Sequence, residues 1–202
     1  MLKTGLNPYG LTYHLGLQGK GTPRANPLGK GLEGFIAFAT ELKAKTLEIF
    51  DPWLAQLDDA QLATLSERLN TLGMTPVISA GLNMIGPIES ALRSAKALNA
   101  KTIRLGLSPV LEGSRNAWGP KWFELNSDIR AGLKKFAPVA ADQGIVFGIE
   151  NHQDFTSEEL VDFCNEYGPS VRIMLDTGNS FPVGEAPLDF ARRVAPYVCH
   201  VH

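Results

Sequence analysis

The sequence is poor in thiols and imidazoles and has no long apolar run, and each shortage closes off a class of protein. Its two cysteines, Cys164 and Cys199, lie outside any CxxC pair, which points to a reducing compartment. No window approaches the roughly 18 uninterrupted apolar residues that cross a bilayer, so no membrane association is expected. The opening stretch MLKTGLNPYG holds no apolar segment of signal-peptide length. A soluble, cytoplasmic protein is the expectation. The formal charge is −2 and no basic stripe is visible, so nucleic-acid partners are not expected.

What is present suits one packed domain. The chain has 202 residues, 44% hydrophobic and 20% charged, enough to bury a core. A single domain over residues 1–202 is expected.

Short β-branched runs alternate with amphipathic ones. Strands are predicted at Gly10–Leu15, Thr46–Phe50, Thr75–Ala80, Thr102–Leu107, Val146–Glu150, Val171–Asp176 and Val198–His202. In the first helix Leu32, Phe35, Ile36, Ala39 and Leu42 share one face. Further helices are predicted over Asp58–Leu72, Ile85–Leu98, Trp122–Gln143, from Thr156 onward and over Pro187–Tyr197. Asp58 or Asp59 is the expected cap of the second, Gly144 stops the fourth, and Thr156 with Glu159 forms a capping box on the fifth. Such alternation implies parallel strands joined by right-handed crossovers. An open doubly wound sheet and a closed barrel both fit.

Three segments carry chemistry: IVFGIENH at 145–152, VRIMLDTGN at 171–179 and VCHVH at 198–202. Each is an apolar strand ending in a carboxylate or imidazole. Glu150, Asp176 and His202 are spaced 26 residues apart, close to one βα unit of a barrel. Successive strand ends of a barrel surround one point, so the three would converge there. Two carboxylates and an imidazole suit Mn²⁺, Mg²⁺, Co²⁺ or Zn²⁺ at an open site, and the absence of a thiolate leans toward the harder metals. The competing reading, in which each acidic strand end merely caps a helix, does not account for equal spacing on consecutive strands.

These motifs, ENH, LDTGN and HVH, resemble those of the xylose-isomerase-like sugar and sugar-phosphate isomerase/epimerase barrels. The resemblance is specific over Ile145–His202 and architectural before it. It implies an α/β fold, a (β/α)₈ TIM barrel with Glu150, Asp176 and His202 as metal ligands. The family's fourth ligand, a Glu on strand 8, would lie beyond His202, so the chain is expected to be C-terminally incomplete. Ketose 3-epimerases of the family carry a substrate-binding His three residues after the strand 6 Asp, where this chain has Asn179. Homo-oligomerisation is a family expectation.

Further pocket-lining residues are expected at strand tops: His14 after strand 1, Glu48 and Asp51 on strand 2, Arg104 on strand 4, and His152 and Asn179 beside the ligands. His14, Glu48, Arg104, His152 and Asn179 are assigned to substrate binding. His200 is read as structural, pointing to the helix layer. Lys20 and Arg24 lie in a long loop that could hold an anion.

Three motifs mislead. GKGLEG at 29–34 matches a dinucleotide fingerprint but does not directly follow a strand. GKGT at 19–22 lacks the upstream glycine of a phosphate loop. Cys199 and His200 are strand neighbours and face apart, against a Cys–His nucleophile.

The expected function is a metal-dependent isomerase or epimerase of a small sugar or sugar derivative, acting through an enediolate, with Glu150 as ligand and base. The alternatives are a metal-dependent lyase of a 3-oxo sugar acid on the same barrel, an apurinic endonuclease-like enzyme and a non-catalytic sugar binder. An endonuclease would need many histidines and a basic groove, and the chain has four histidines.

Overall fold

A computed structural model describes residues 3–82, 87–110 and 114–202. The elements run β1 (Gly5–Leu6), α1 (Gly31–Glu41), β2 (Thr46–Phe50), α2 (Asp51–Leu54), α3 (Asp59–Thr71), β3 (Thr75–Gly81), α4 (Ile88–Ala97), β4 (Thr102–Gly106), α5 (Lys121–Asp142), β5 (Val146–Glu150), α6 (Ser157–Tyr167), β6 (Val171–Leu175), α7 (Pro187–Val194) and β7 (Val198–Val201). The chain forms two compact units, one of residues 3–79 and 93–100, the other of residues 80–82, 87–92, 101–110 and 114–202. No helix among the described residues is long and apolar enough to cross a membrane.

In the first unit β1, β2 and β3 pair in parallel in chain order. Leu47 and Ile49 of β2 are fully buried, as are Phe35 and Ile36 of α1 and Leu62 of α3. Asp58 is the cap of α3: its Oδ1 accepts from the Gln61 N–H at 2.8 Å, while the Asp58 N–H donates back to Gln61 Oε1 at 2.9 Å.

The first strand is not at Gly10–Leu15 but at Gly5–Leu6, which corrects the sequence expectation. Residues 9–11 form a 3₁₀ turn, and the following N–H groups are spent locally, Leu15 on Leu11 and Leu17 on Thr12. Gly5 is the residue that can pair, because a Cβ there would lie 2.9 Å from the Thr46 carbonyl oxygen. His14 therefore sits exposed in the turn between β1 and α1, not at a strand end. Asp51 opens α2 and accepts from Ser94 Oγ at 3.1 Å. The predicted start of the third helix at Ile85 lies outside the described residues.

In the second unit β4, β5, β6 and β7 are parallel and again in chain order. Phe147 and Ile149 of β5 and Ile173 of β6 point into a core completed by Leu133 of α5, Leu160 and Phe163 of α6 and Phe190 of α7. Phe155 sits between Trp122 and Phe163, with ring centroids 5.0 and 5.2 Å away. The capping box on α6 forms as predicted, with Thr156 and Glu159 exchanging hydrogen bonds.

Candidate metal centre

β5 ends in Glu150, and Asp176 and His202 are the residues immediately after β6 and β7. Parallel pairing in register sets these ends side by side: Glu150 is opposite Met174, and Leu175 is opposite Val201. One ligand atom each from Glu150, Asp176 and His202 lies within 4.8 Å of the others. That spacing suits a divalent cation bound at about 2.0–2.2 Å by carboxylate oxygen and imidazole nitrogen. The donor set of two carboxylates and an imidazole fits a divalent cation.

Main-chain hydrogen bonds lock the three ends together. Asn151, fully buried, donates from Nδ2 to the Asp176 carbonyl at 2.8 Å and accepts the Asp176 N–H on Oδ1 at 2.7 Å. Thr177 donates its N–H and its hydroxyl to the His202 carbonyl, each at 3.3 Å. The His202 N–H donates to the Leu175 carbonyl at 2.8 Å. Asp176 Oδ1 accepts from the Gly178 N–H at 2.8 Å, which fixes the carboxylate's orientation.

The Glu150 carboxylate is buried and its two oxygens have different neighbours. Arg104 pairs with Oε2, and His202 Nδ1 lies 3.2 Å from Oε1. Burial alone would raise the Glu150 carboxyl. The hydrogen bond from His202 and the charges of Arg104, His152 and His202 outweigh it and hold the group below the ordinary carboxylate range.

Around the centre, Asn179 Oδ1 accepts from Gln153 Nε2 at 3.3 Å, linking the loops after β6 and β5. His152 is half-buried and its N–H donates to Asp154 Oδ1 at 3.3 Å. Asp154 is fully buried and accepts from Ser108 Oγ at 2.6 Å. Burial pushes its carboxyl up to about 6, against the hydrogen bond from Ser108 and the charge of His152. Glu48 is buried in the middle of β2 and His14 is exposed, both in the first unit.

His200 requires a correction. A register shift between Ile173 and Met174 leaves Cys199 as the extra residue of a β-bulge. The His200 and His202 rings then lie 5.7 Å apart, nearly perpendicular. Residues two apart on a strand share a face, so His200 stands beside His202 and not in the helix layer. Asn151 was also missed as a contributor, although it directly follows a ligand in the sequence. Desolvation of its sulfur pushes the Cys199 thiol up to about 11, which disfavours the thiolate that a nucleophile needs.

Comparison with known proteins bears on the fold and the family. An uncharacterised protein of Escherichia coli strain K12, YihM, is 25% identical over 171 residues, covering 83% of this chain and 50% of that protein. The crystal structure of a D-psicose 3-epimerase in the presence of D-fructose superposes with a TM-score of 0.67 at 22% identity, covering 84% of this chain and 66% of the other. The probable 3-DHS dehydratase AsbF of Bacillus anthracis gives a TM-score of 0.71 at 15% identity, covering all of this chain and 72% of the other. The chain thus spans about half the length of the curated relative it matches. The family model for xylose isomerase-like TIM barrels matches residues 36–202, and the chain belongs to that family, with the TIM-barrel fold class that the resemblance of its last three strand ends implied.

Proposed function

We propose that the protein is a divalent-metal-dependent isomerase or epimerase of a small sugar or sugar derivative, with Glu150, Asp176 and His202 as ligands within one barrel domain. The convergence of these three donors to within 4.8 Å is the observation that supports it most. Mn²⁺ is the expected ion. When bound, it would supply electrostatic stabilisation for the negative charge that develops as a substrate carbonyl becomes an enediolate.

The chain's own groups account for the rest. Glu150 is held ionised, so its carboxylate can accept the proton on the carbon beside the carbonyl. Asp176 is fixed by Asn151 and Gly178, which keeps its free oxygen aimed at the centre. His152, Arg104, Asn179, Glu48 and His14 are retained as substrate-binding candidates, with Arg104 already paired to Glu150.

A second reading, a lyase acting on a 3-oxo acid through the same enolate, is favoured by one residue. Asn179 stands where ketose 3-epimerases have a histidine, and it is already engaged by Gln153. Incubating the metal-loaded full-length protein with ketoses and 3-oxo sugar acids in deuterated water separates the two. Solvent deuterium at the carbon beside the carbonyl, without loss of water or CO₂, is the expected result. Elimination without epimerised product would establish the lyase, and neither outcome across the panel would end the enolisation reading.

A further inference from the structure

Arg104 reaches Glu150 from the neighbouring strand along an open lane. It is directly opposite Gly148 in the β4–β5 register, and Gly148 shares its strand face with Glu150, two residues on. The guanidinium must therefore advance along the strand to meet the carboxylate. Gly106 flanks that path: a Cβ there would already be 3.6 Å from Arg104 Nη1, so a larger side chain would crowd it. The side chains of the pair are only 9% and 3% exposed. Burying two charges is costly unless the geometry is used. Here the use is visible, because the pair occupies one oxygen of a carboxylate whose other oxygen faces His202.

We propose that Arg104 is a positioning residue that divides the work of the Glu150 carboxylate, holding Oε2 so that Oε1 alone is offered to the cation, and that it thereby sets which cations the centre accepts. This rests on the metal reading above. Ca²⁺ takes about 6–8 oxygens at long range and readily binds carboxylates through both oxygens, whereas Mg²⁺ needs a compact octahedron. Mn²⁺ also favours an octahedral set. A glutamate confined to one oxygen removes a ligand from Ca²⁺ and costs the octahedral ions nothing.

The test is calorimetric titration of the full-length protein with Mn²⁺ and with Ca²⁺, as wild type, Arg104→Met and Arg104→Lys. The wild type should prefer Mn²⁺. Arg104→Met should move the Mn²⁺/Ca²⁺ affinity ratio toward Ca²⁺ by about tenfold or more, the usual scale for outer-shell partners of a metal ligand. Arg104→Lys should lie between them. An unchanged ratio in an Arg104→Met protein that still binds Mn²⁺ overturns the proposal. A wild type that binds neither cation overturns the metal centre itself, and this inference with it. Infrared difference spectra of the wild type, with Glu150→Gln assigning the band, provide a check that needs no Arg104 variant to fold. One-oxygen binding widens the separation of the two carboxylate stretches on metal addition, and a narrowed separation contradicts the proposal.

Discussion

Asn151 grips the main chain of Asp176 from both sides, donating to its carbonyl at 2.8 Å and accepting its N–H at 2.7 Å. One side chain at the end of β5 thereby sets the position of a proposed ligand at the end of β6. Asn151→Asp keeps the acceptor and loses the donor. It should lower Mn²⁺ affinity by about 10–100-fold and cost about 1 kcal/mol of stability through the lost donor, because the Asp176 carbonyl then keeps only the longer bond from the Asn179 N–H at 3.4 Å. Titration calorimetry and urea unfolding measure the two effects. Unchanged metal affinity would show that Asp176 needs no such support.

Asp154 predicts a pH dependence of stability. Its carboxyl is pushed up to about 6 by burial, whereas in the unfolded chain it titrates near about 3.9. The folded state thus favours the protonated form. The stabilisation is complete below about pH 4 and is lost as pH rises through about 6, a change of about 3 kcal/mol. In urea-unfolding free energies measured from pH 4 to 7.5, Asp154→Asn should flatten that fall. A variant whose pH profile parallels the wild type would remove Asp154 as its source.

Phe155 should be a large single contributor to stability. It is 1% exposed and packs on both Trp122 and Phe163. Phe155→Ala should cost about 3–5 kcal/mol, read by chemical denaturation. Because Phe155 lies five residues past Glu150, the loss should also loosen the loop after β5, with faster amide exchange at residues 151–156. Exchange unchanged there would confine the effect to the core.

Glu150→Gln separates catalysis from binding. As the proposed base, Glu150 should contribute about 10²–10⁴-fold to turnover, so the variant should lose substrate deuterium exchange by that factor. A protein that binds sugar but performs no chemistry would instead keep its sugar affinity and show no turnover in either form.

The sequence was most legible where a single local rule decides the outcome. β2 and β5 have the bounds that their apolar runs predicted, the capping box at Thr156 follows from residues three apart, and Asp58, one of the two expected caps, is the cap of α3. The convergence of Glu150, Asp176 and His202 was readable because equal spacing on consecutive parallel strands converts sequence distance into spatial proximity. Gly10–Leu15 was misread because its alternating pattern is also compatible with a run of turns, and hydrogen bonds inside residues 8–18 decided for turns. The Arg104–Glu150 pair and the Asn151 clamp each span two strands, so no local pattern contains them. His200 was misplaced by a slip over strand periodicity, since residues two apart face the same way, and the bulge at Cys199 adds a local twist that the sequence does not announce.

The most direct test of the central claim is the Mn²⁺ stoichiometry and affinity of the full-length protein as wild type, Asp176→Asn and His202→Ala, with folding checked by circular dichroism. The account predicts one Mn²⁺ per chain in the wild type and much weaker binding in both folded variants. Equal Mn²⁺ affinity in all three proteins, or no Mn²⁺ binding by the wild type, would contradict a metal centre at Glu150, Asp176 and His202.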